Sequence, residues 1–152
     1  MKNTHAACLL TALALSVQAS CNRTASFDPV KSFSSLTDKF LSEQKAVADS
    51  KNSADPALKD TIAADSTIDV VKSESLVSPY IGTLRYQETM NVNGDNMTRS
   101  ITDYTCNFAY QNNEWVLKEV SYKLEVRVYS DEAHYLSQIK AGTIDAAQFT
   151  KK

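Results

Sequence analysis

Glycine is scarce in this chain: Gly82, Gly94 and Gly142 are the only three in 152 residues. Neither a phosphate-cradling loop nor a dinucleotide fingerprint can be written from them. Histidine is scarcer, with His5 in the leader described below and His134 alone thereafter. No histidine-rich zinc site or Ser-His-Asp triad can be assembled from that stock, and His134, in a stretch that reads as helix, is expected to be a partly exposed surface residue. Charge of one sign is lacking too, with 16 basic against 18 acidic residues and no basic stripe. Lys151 and Lys152 at the end are too few for a nucleic-acid footprint, so no nucleic acid is expected as a partner. No cofactor and no metal is expected. Carboxylate chemistry needs only two acids and stays open, although Asp95 and Asp103 have structural roles ready, in a turn and on a polar strand face.

What is present begins with a leader. Lys2 precedes the uncharged run Ala6 to Val17, and small residues follow. A membrane-spanning helix needs about 20 apolar residues, and this run ends at Gln18, so residues 1–20 read as a secretory signal peptide rather than an anchor. A buried amphipathic helix would need polar residues along one face, and only Thr11 and Ser16 are available. Val17-Gln18-Ala19 permits ordinary cleavage before Ser20. The tetrad Gln18-Ala19-Ser20-Cys21 also resembles the lipobox of bacterial lipoproteins, with Gln18 standing where that family has an aliphatic residue. The resemblance implies that Cys21 becomes the lipidated first residue, that 21–27 form a tether, and that the protein is exported and anchored in the bacterial cell envelope.

Cysteine usage leaves two arrangements. Cys8 departs with the signal, and Cys21 and Cys106 are too few for a disulfide framework. With Cys21 lipidated, Cys106 is a small buried hydrophobe on a strand. Without lipid, the protein is secreted and a Cys21 to Cys106 bridge becomes available.

About 130 residues remain after the leader, enough for one core, and a single α+β domain over 28–152 is expected. Asp28-Pro29 is an N-cap followed by proline at the first helical position. Val30, Phe33, Leu36, Phe40, Leu41, Val47 and Ala48 then recur at spacings of three and four, predicting an amphipathic helix whose apolar side faces the core. From Asp49 to Thr67 the chain turns polar. A second cap signal at Asp55-Pro56 predicts a short helix carrying Leu58 and Ile62. Ile68 to Val71 read as an edge or first strand, and Pro79 marks a strand entry or edge.

Alternation then takes over. Tyr80, Leu84, Tyr86, Met90 and Val92, then Tyr104, Cys106, Phe108 and Tyr110, then Val120, Tyr122, Leu124, Val126 and Val128 define three strands with one wet face. Turn residues at Asn93-Gly94-Asp95-Asn96 and Asn112-Asn113 join them into an antiparallel meander of about four strands. The apolar parity requires an odd loop at the first turn, Gly94 to Asn96, placing Tyr86 opposite Tyr104 and Leu84 opposite Cys106. A two-residue turn at Asn112-Asn113 places Tyr110 opposite Trp115 and Phe108 opposite Leu117. The apolar positions change from odd to even by Val120, which predicts a β-bulge near Lys118-Glu119. Ser130-Asp131-Glu132 reads as a cap, with Ala133, Leu136 and Ile139 on a short C-terminal helix stopped by Gly142. Thr143 to Phe149 adds one more helical turn or two.

The segment Lys72 to Gly82 resembles one found in small exported bacterial proteins, and Trp115-Val116-Leu117 after its asparagine turn is similar to strands of cystatin-like and NTF2-like exported domains. Those resemblances imply a helix packed on a curved antiparallel sheet, a layout shared by ligand pockets, dimerisation modules and inhibitors. Buried phenols need partners, so Pro79, Tyr80, Tyr86, Tyr104, Tyr110 and Tyr122 are the candidate ligand or partner surface; the plainer reading makes the tyrosines simply core. The expected function is a non-catalytic binding or assembly module with a protein partner in the envelope, attached to the membrane through its N-terminal lipid. A homo-oligomer is compatible with these features. The alternatives are a secreted enzyme inhibitor and a small hydrolase with a pocket between helix and sheet, the latter signalled by converging carboxylates in a cavity.

Overall fold

The structure is a computed structural model that describes residues 26–93, 97–129 and 136–149. One long helix, α1 (Pro29–Ala54), precedes six strands, β1 (Leu58–Ile62), β2 (Thr67–Lys72), β3 (Tyr80–Val92), β4 (Met97–Gln111), β5 (Glu114–Tyr129) and β6 (Leu136–Asp145), and a closing turn of helix, α2 (Ala146–Phe149). The fold is α+β, with α1 packed on one face of a wholly antiparallel sheet. Among the described residues no helix is long and apolar enough to cross a membrane.

The start of α1 is set by its cap. Asp28 Oδ1 accepts from the backbone N–H groups of Val30 and Lys31 at 3.0 and 3.1 Å, and Pro29 needs no partner there. The helix runs past Ala48 into the polar stretch that begins at Asp49, and ends where Asp55 donates its N–H to the Lys51 carbonyl. Phe33 is fully buried, and Leu36, Phe40 and Leu41 pack against the core of Leu84, Tyr86, Cys106, Phe108 and Val120. Val30 departs from the expected stripe, being 54% exposed.

The meander register follows the parity argument. Leu84 faces Cys106 and Tyr86 faces Tyr104 across β3 and β4; the loop residues 94–96 lie outside the described residues. Across β4 and β5, Tyr110 faces Trp115 and Phe108 faces Leu117, and then Asn107 faces Glu119. Lys118 is the extra residue, so the bulge stands where the parity change requires it. Asn112 and Asn113 have φ of 51° and 66°, the left-handed pair a two-residue hairpin turn demands.

Two expected helices are strands. Leu58 and Ile62 lie on β1, paired with the far end of β3. Asp55-Pro56 is a chain reversal rather than a cap: Leu58 N–H reaches the Asp55 carbonyl at 3.0 Å, and Asp55 Oδ1 accepts from Ala57 N–H at 2.9 Å. Leu136, Ile139 and Gly142 lie on β6, which completes the ladder of β5 from Val128 to Glu119. The cap at Ser130-Asp131-Glu132, with Ala133 and His134, lies outside the described residues. The expected turn within Thr143 to Phe149 is α2, preceded by the end of β6. The sheet therefore has six strands rather than about four, and β1 and β2 share the same side of β3, at Glu88 to Val92 and Tyr80 to Arg85 respectively.

Candidate functional site

The inner face of the sheet is covered unevenly. Phe33, Phe40 and Phe149 fill the part over Gly82, Leu84, Tyr104 and Phe108. Beyond the last turn of α1, Met90, Val92, Leu124 and Val126, with Thr98, Ser100 and Thr102, surround a cavity of about 350 Å³. That volume is in the range of small-molecule sites; four aliphatic side chains and the hydroxyls of Thr98, Ser100 and Thr102 share its wall, and its charged groups, Lys51 and Glu88, stand together at one end.

The polar end is built by three elements. Lys51, in the last turn of α1, donates from Nζ to Asp60 Oδ2 at 2.8 Å and to Glu88 Oε1 at 3.2 Å. Tyr104 OH on β4 donates to Glu88 Oε2 at 3.0 Å. Asp60 is placed by β1, which pairs it with Met90 and so sets it one inward position from Glu88 on β3. Asn52 clamps the Asp60 backbone from the helix, its Nδ2 donating to the Asp60 carbonyl at 2.8 Å and its Oδ1 accepting from the Asp60 N–H. One ammonium faces two carboxylates, so the cluster carries a formal excess of one negative charge. Asp60 is 1% exposed, and its Oδ1 has no hydrogen-bond partner among the described residues.

The protonation states favour donors over bases. Burial by itself would lower the pKa of Lys51, but the hydrogen bond to Asp60 and the charge of Glu88 more than offset it and raise the pKa above its usual 10.5. Burial pushes the Tyr86 and Tyr104 phenols upward, and the Glu88 charge adds to the rise at Tyr104. Burial alone pushes the Cys106 thiol from 9.0 up to about 12. Lys51 is thus held as an ammonium, the two phenols and the thiol as neutral acids.

These shifts have one sign for stability. Each group binds its proton more tightly folded than unfolded, so its contribution is complete below the unfolded pKa and lost as pH rises towards the folded one. For Cys106 the window runs from pH 9.0 to about 12. Stability is expected to fall from near pH 9, with a slope of up to about 1.4 kcal/mol per pH unit from the thiol, steepening as the phenols join near pH 10. Denaturant titrations of the protein and of Cys106→Ala check this. Equal slopes between pH 9 and 10 in the two proteins would remove Cys106 as the cause.

The tyrosines singled out in the sequence do not form one surface. Tyr80 and Tyr110 are half-buried at the end of the sheet beside the start of α1, where Phe27 stacks on Tyr110 at 4.5 Å and lies 5.9 Å from Tyr80. Pro79 is the residue before β3, its carbonyl accepting from Ser73 N–H. Tyr86 is buried and stacks on Tyr104 at 5.0 Å. Tyr122 is half-buried under Gly142, where a Cβ would come within 3.1 Å of its ring. Tyr104 alone of the six lines the cavity. Cys106 is fully buried with a free thiol, and Cys21 lies outside the described residues. Lys51, Asp60 and Glu88 carry no local sequence signal; the one available hint was Asp60 standing between Leu58 and Ile62 in an otherwise apolar alternation. Among the described residues no three or more His, Cys, Asp and Glu side chains are placed to hold a metal ion.

Fold and site together define an α+β domain with a helix laid over part of an antiparallel sheet and a cavity at the uncovered part. No protein-family model, curated protein or solved structure matches this chain.

Proposed function

We propose that this protein is an exported, lipid-anchored envelope module of the cystatin-like or NTF2-like kind that binds a small amphipathic molecule without transforming it. The observation that carries the reading is the cavity at the uncovered end of the inner face, with four aliphatic side chains on its wall and headed by Lys51, Glu88 and Tyr104. An apolar body would replace water against Met90, Val92, Leu124 and Val126, and a polar head would meet the ion cluster. The excess negative charge of that cluster selects a cationic or donor head over an anionic one. A small hydrolase is the opposing reading, since two carboxylates do converge here. They converge on Lys51 Nζ, however, and both Glu88 oxygens already accept a hydrogen bond. Asp60 Oδ1 has no such partner among the described residues, but its side chain is fully buried and does not line the cavity, so holding rather than reacting suits the pair, since a general base must reach its substrate.

The test is a titration of the purified exported chain with N-phenyl-1-naphthylamine, a neutral apolar fluorophore. A saturable rise in fluorescence is expected, reversed by dodecylamine at concentrations about fivefold below those needed of dodecanoate, which corresponds to about 1 kcal/mol of charge preference. Val126→Trp, which fills the cavity, is expected to remove the signal while leaving the melting temperature near that of the parent. Undiminished binding by the Trp variant would move the site elsewhere, and a lack of saturable binding would sink the small-molecule reading.

A further inference from the structure

The two most exposed large apolar side chains among the described residues are neighbours: Leu76 is 100% exposed and Val77 72%. They sit at the tip of the connection between β2 and β3, and the loop around them is held in place. Ser73 N–H closes it on the Pro79 carbonyl at 2.8 Å. Ser75 N–H donates to Ser73 Oγ, and Ser78 N–H to Ser75 Oγ. Gln111 Nε2 reaches Ser78 Oγ at 2.6 Å and ties the loop to the adjoining β4–β5 hairpin. The serine hydroxyls bond within the loop and to Gln111, and the aliphatic pair stands exposed on a loop fixed by these bonds. An exposed apolar feature held this way marks an interaction site.

What covers it is indicated by where the N-terminus leaves the fold. Phe27 packs on Tyr80 and Tyr110, so the chain enters α1 at the same end of the sheet as the Leu76 tip. Six peptide units separate Cys21 from Phe27, a reach of at most about 22 Å. A lipid on Cys21 would therefore hold this end of the domain against the bilayer. The segment Lys72 to Gly82 that carries the tip has one charge of each sign, Lys72 and Glu74. Attraction to an acidic or basic partner is thus not what the surface offers, and aliphatic insertion is.

We infer that the Leu76–Val77 tip is a membrane-docking surface, seated among the headgroups of the bilayer that carries the Cys21 lipid. The inference rests on the lipid-anchor reading above. It orients the whole domain. β3 runs from Tyr80 beside the tip to Met90 beside the cavity, ten residues at about 3.3 Å each, so the cavity lies about 30 Å along the strand from the docked end.

The test uses the exported chain with its own anchor, in vesicles of phosphatidylethanolamine and phosphatidylglycerol, after intact mass has recorded whether acyl groups are present. Val77→Cys and Asn93→Cys are each labelled with an environment-sensitive fluorophore; Cys106 is buried and keeps its proton, so it does not compete. Quenching by nitroxide-bearing lipid is expected to be several-fold stronger at position 77 than at 93, and insensitive to salt. Equal, weak quenching in an acylated protein would overturn the docking surface while leaving the anchor intact. A protein without acyl mass would defeat the anchor reading instead. Docking is then decided by sedimenting the unlabelled soluble chain with the same vesicles. A several-fold loss of the bound fraction in Leu76→Asp/Val77→Asp sustains the surface, and equal sedimentation of variant and parent overturns it.

Discussion

Replacing Gly82 by alanine is expected to cost about 3 kcal/mol of stability and to lower the melting temperature by about 10 °C. A Cβ at Gly82 would come within 2.5 to 2.8 Å of three carbons of the Phe33 ring. That ring has nowhere to go: Phe33 is fully buried, edge-on to Phe108 at 5.4 Å and against Trp115 at 4.7 Å. Relief therefore requires α1 to lift, which also strains the bond from Trp115 Nε1 to Ser32 Oγ. In an ordinary strand the same change is mildly favourable, because alanine loses less backbone entropy on folding than glycine. The sign of the effect thus reports the close approach of helix and sheet. Phe33→Leu opens room at the same place, so in the double variant the two losses should fall short of their sum by about 1 kcal/mol or more. Chemical denaturation of the four proteins measures this, and a neutral Gly82→Ala would show that α1 is not seated as described.

The second large effect belongs to the ion cluster. Lys51→Met removes the donor shared by Asp60 and Glu88 and leaves the Asp60 side chain, with no exposed surface, without any partner for either oxygen. Breaking a fully buried pair costs about 3 to 5 kcal/mol. The Lys51 side chain is 45% exposed, so water can enter in its place, and about 2 kcal/mol is expected. Adding Asp60→Asn should return part of that loss, because a neutral amide tolerates burial without a cation. A Lys51→Met protein within about 0.5 kcal/mol of the parent at neutral pH would mean the cluster does not fasten α1 to β1.

Much of the fold is legible in side-chain periodicity. Alternation fixes which face of β3, β4 and β5 is buried, and the parity of the buried positions then leaves one register at each hairpin, since a slip of one residue would expose Tyr86 or Leu84. The bulge at Lys118 is read from parity alone. Periodicity is silent where a segment is short. Leu58 and Ile62, four apart, share a face in a helix and also in a strand, and a nearby Asp-Pro tips the reading towards helix. Leu136 and Ile139, three apart, suggest one helical face; both belong instead to β6, and Ile139 there is 64% exposed. The free edge of β5 decided that segment, and an edge is a property of the assembled sheet.

The site shows the same division. The aliphatic wall, Met90, Val92, Leu124 and Val126, was visible as the inward set of two strands. Its polar head was not, because Lys51, Asp60 and Glu88 come from a helix end and two strands, with Glu88 37 positions after Lys51 in the chain. By itself the sequence determined the capped helix, the buried face and the hairpin registers, all of which depend on neighbours a few residues apart. Only the tertiary structure decided that β1 and β2 divide one side of β3, that α1 stops short of the far end of the inner face, and that an ammonium, two carboxylates and a phenol meet there. Those follow from long-range closure, where burial and ion pairing, rather than local pattern, choose the partners.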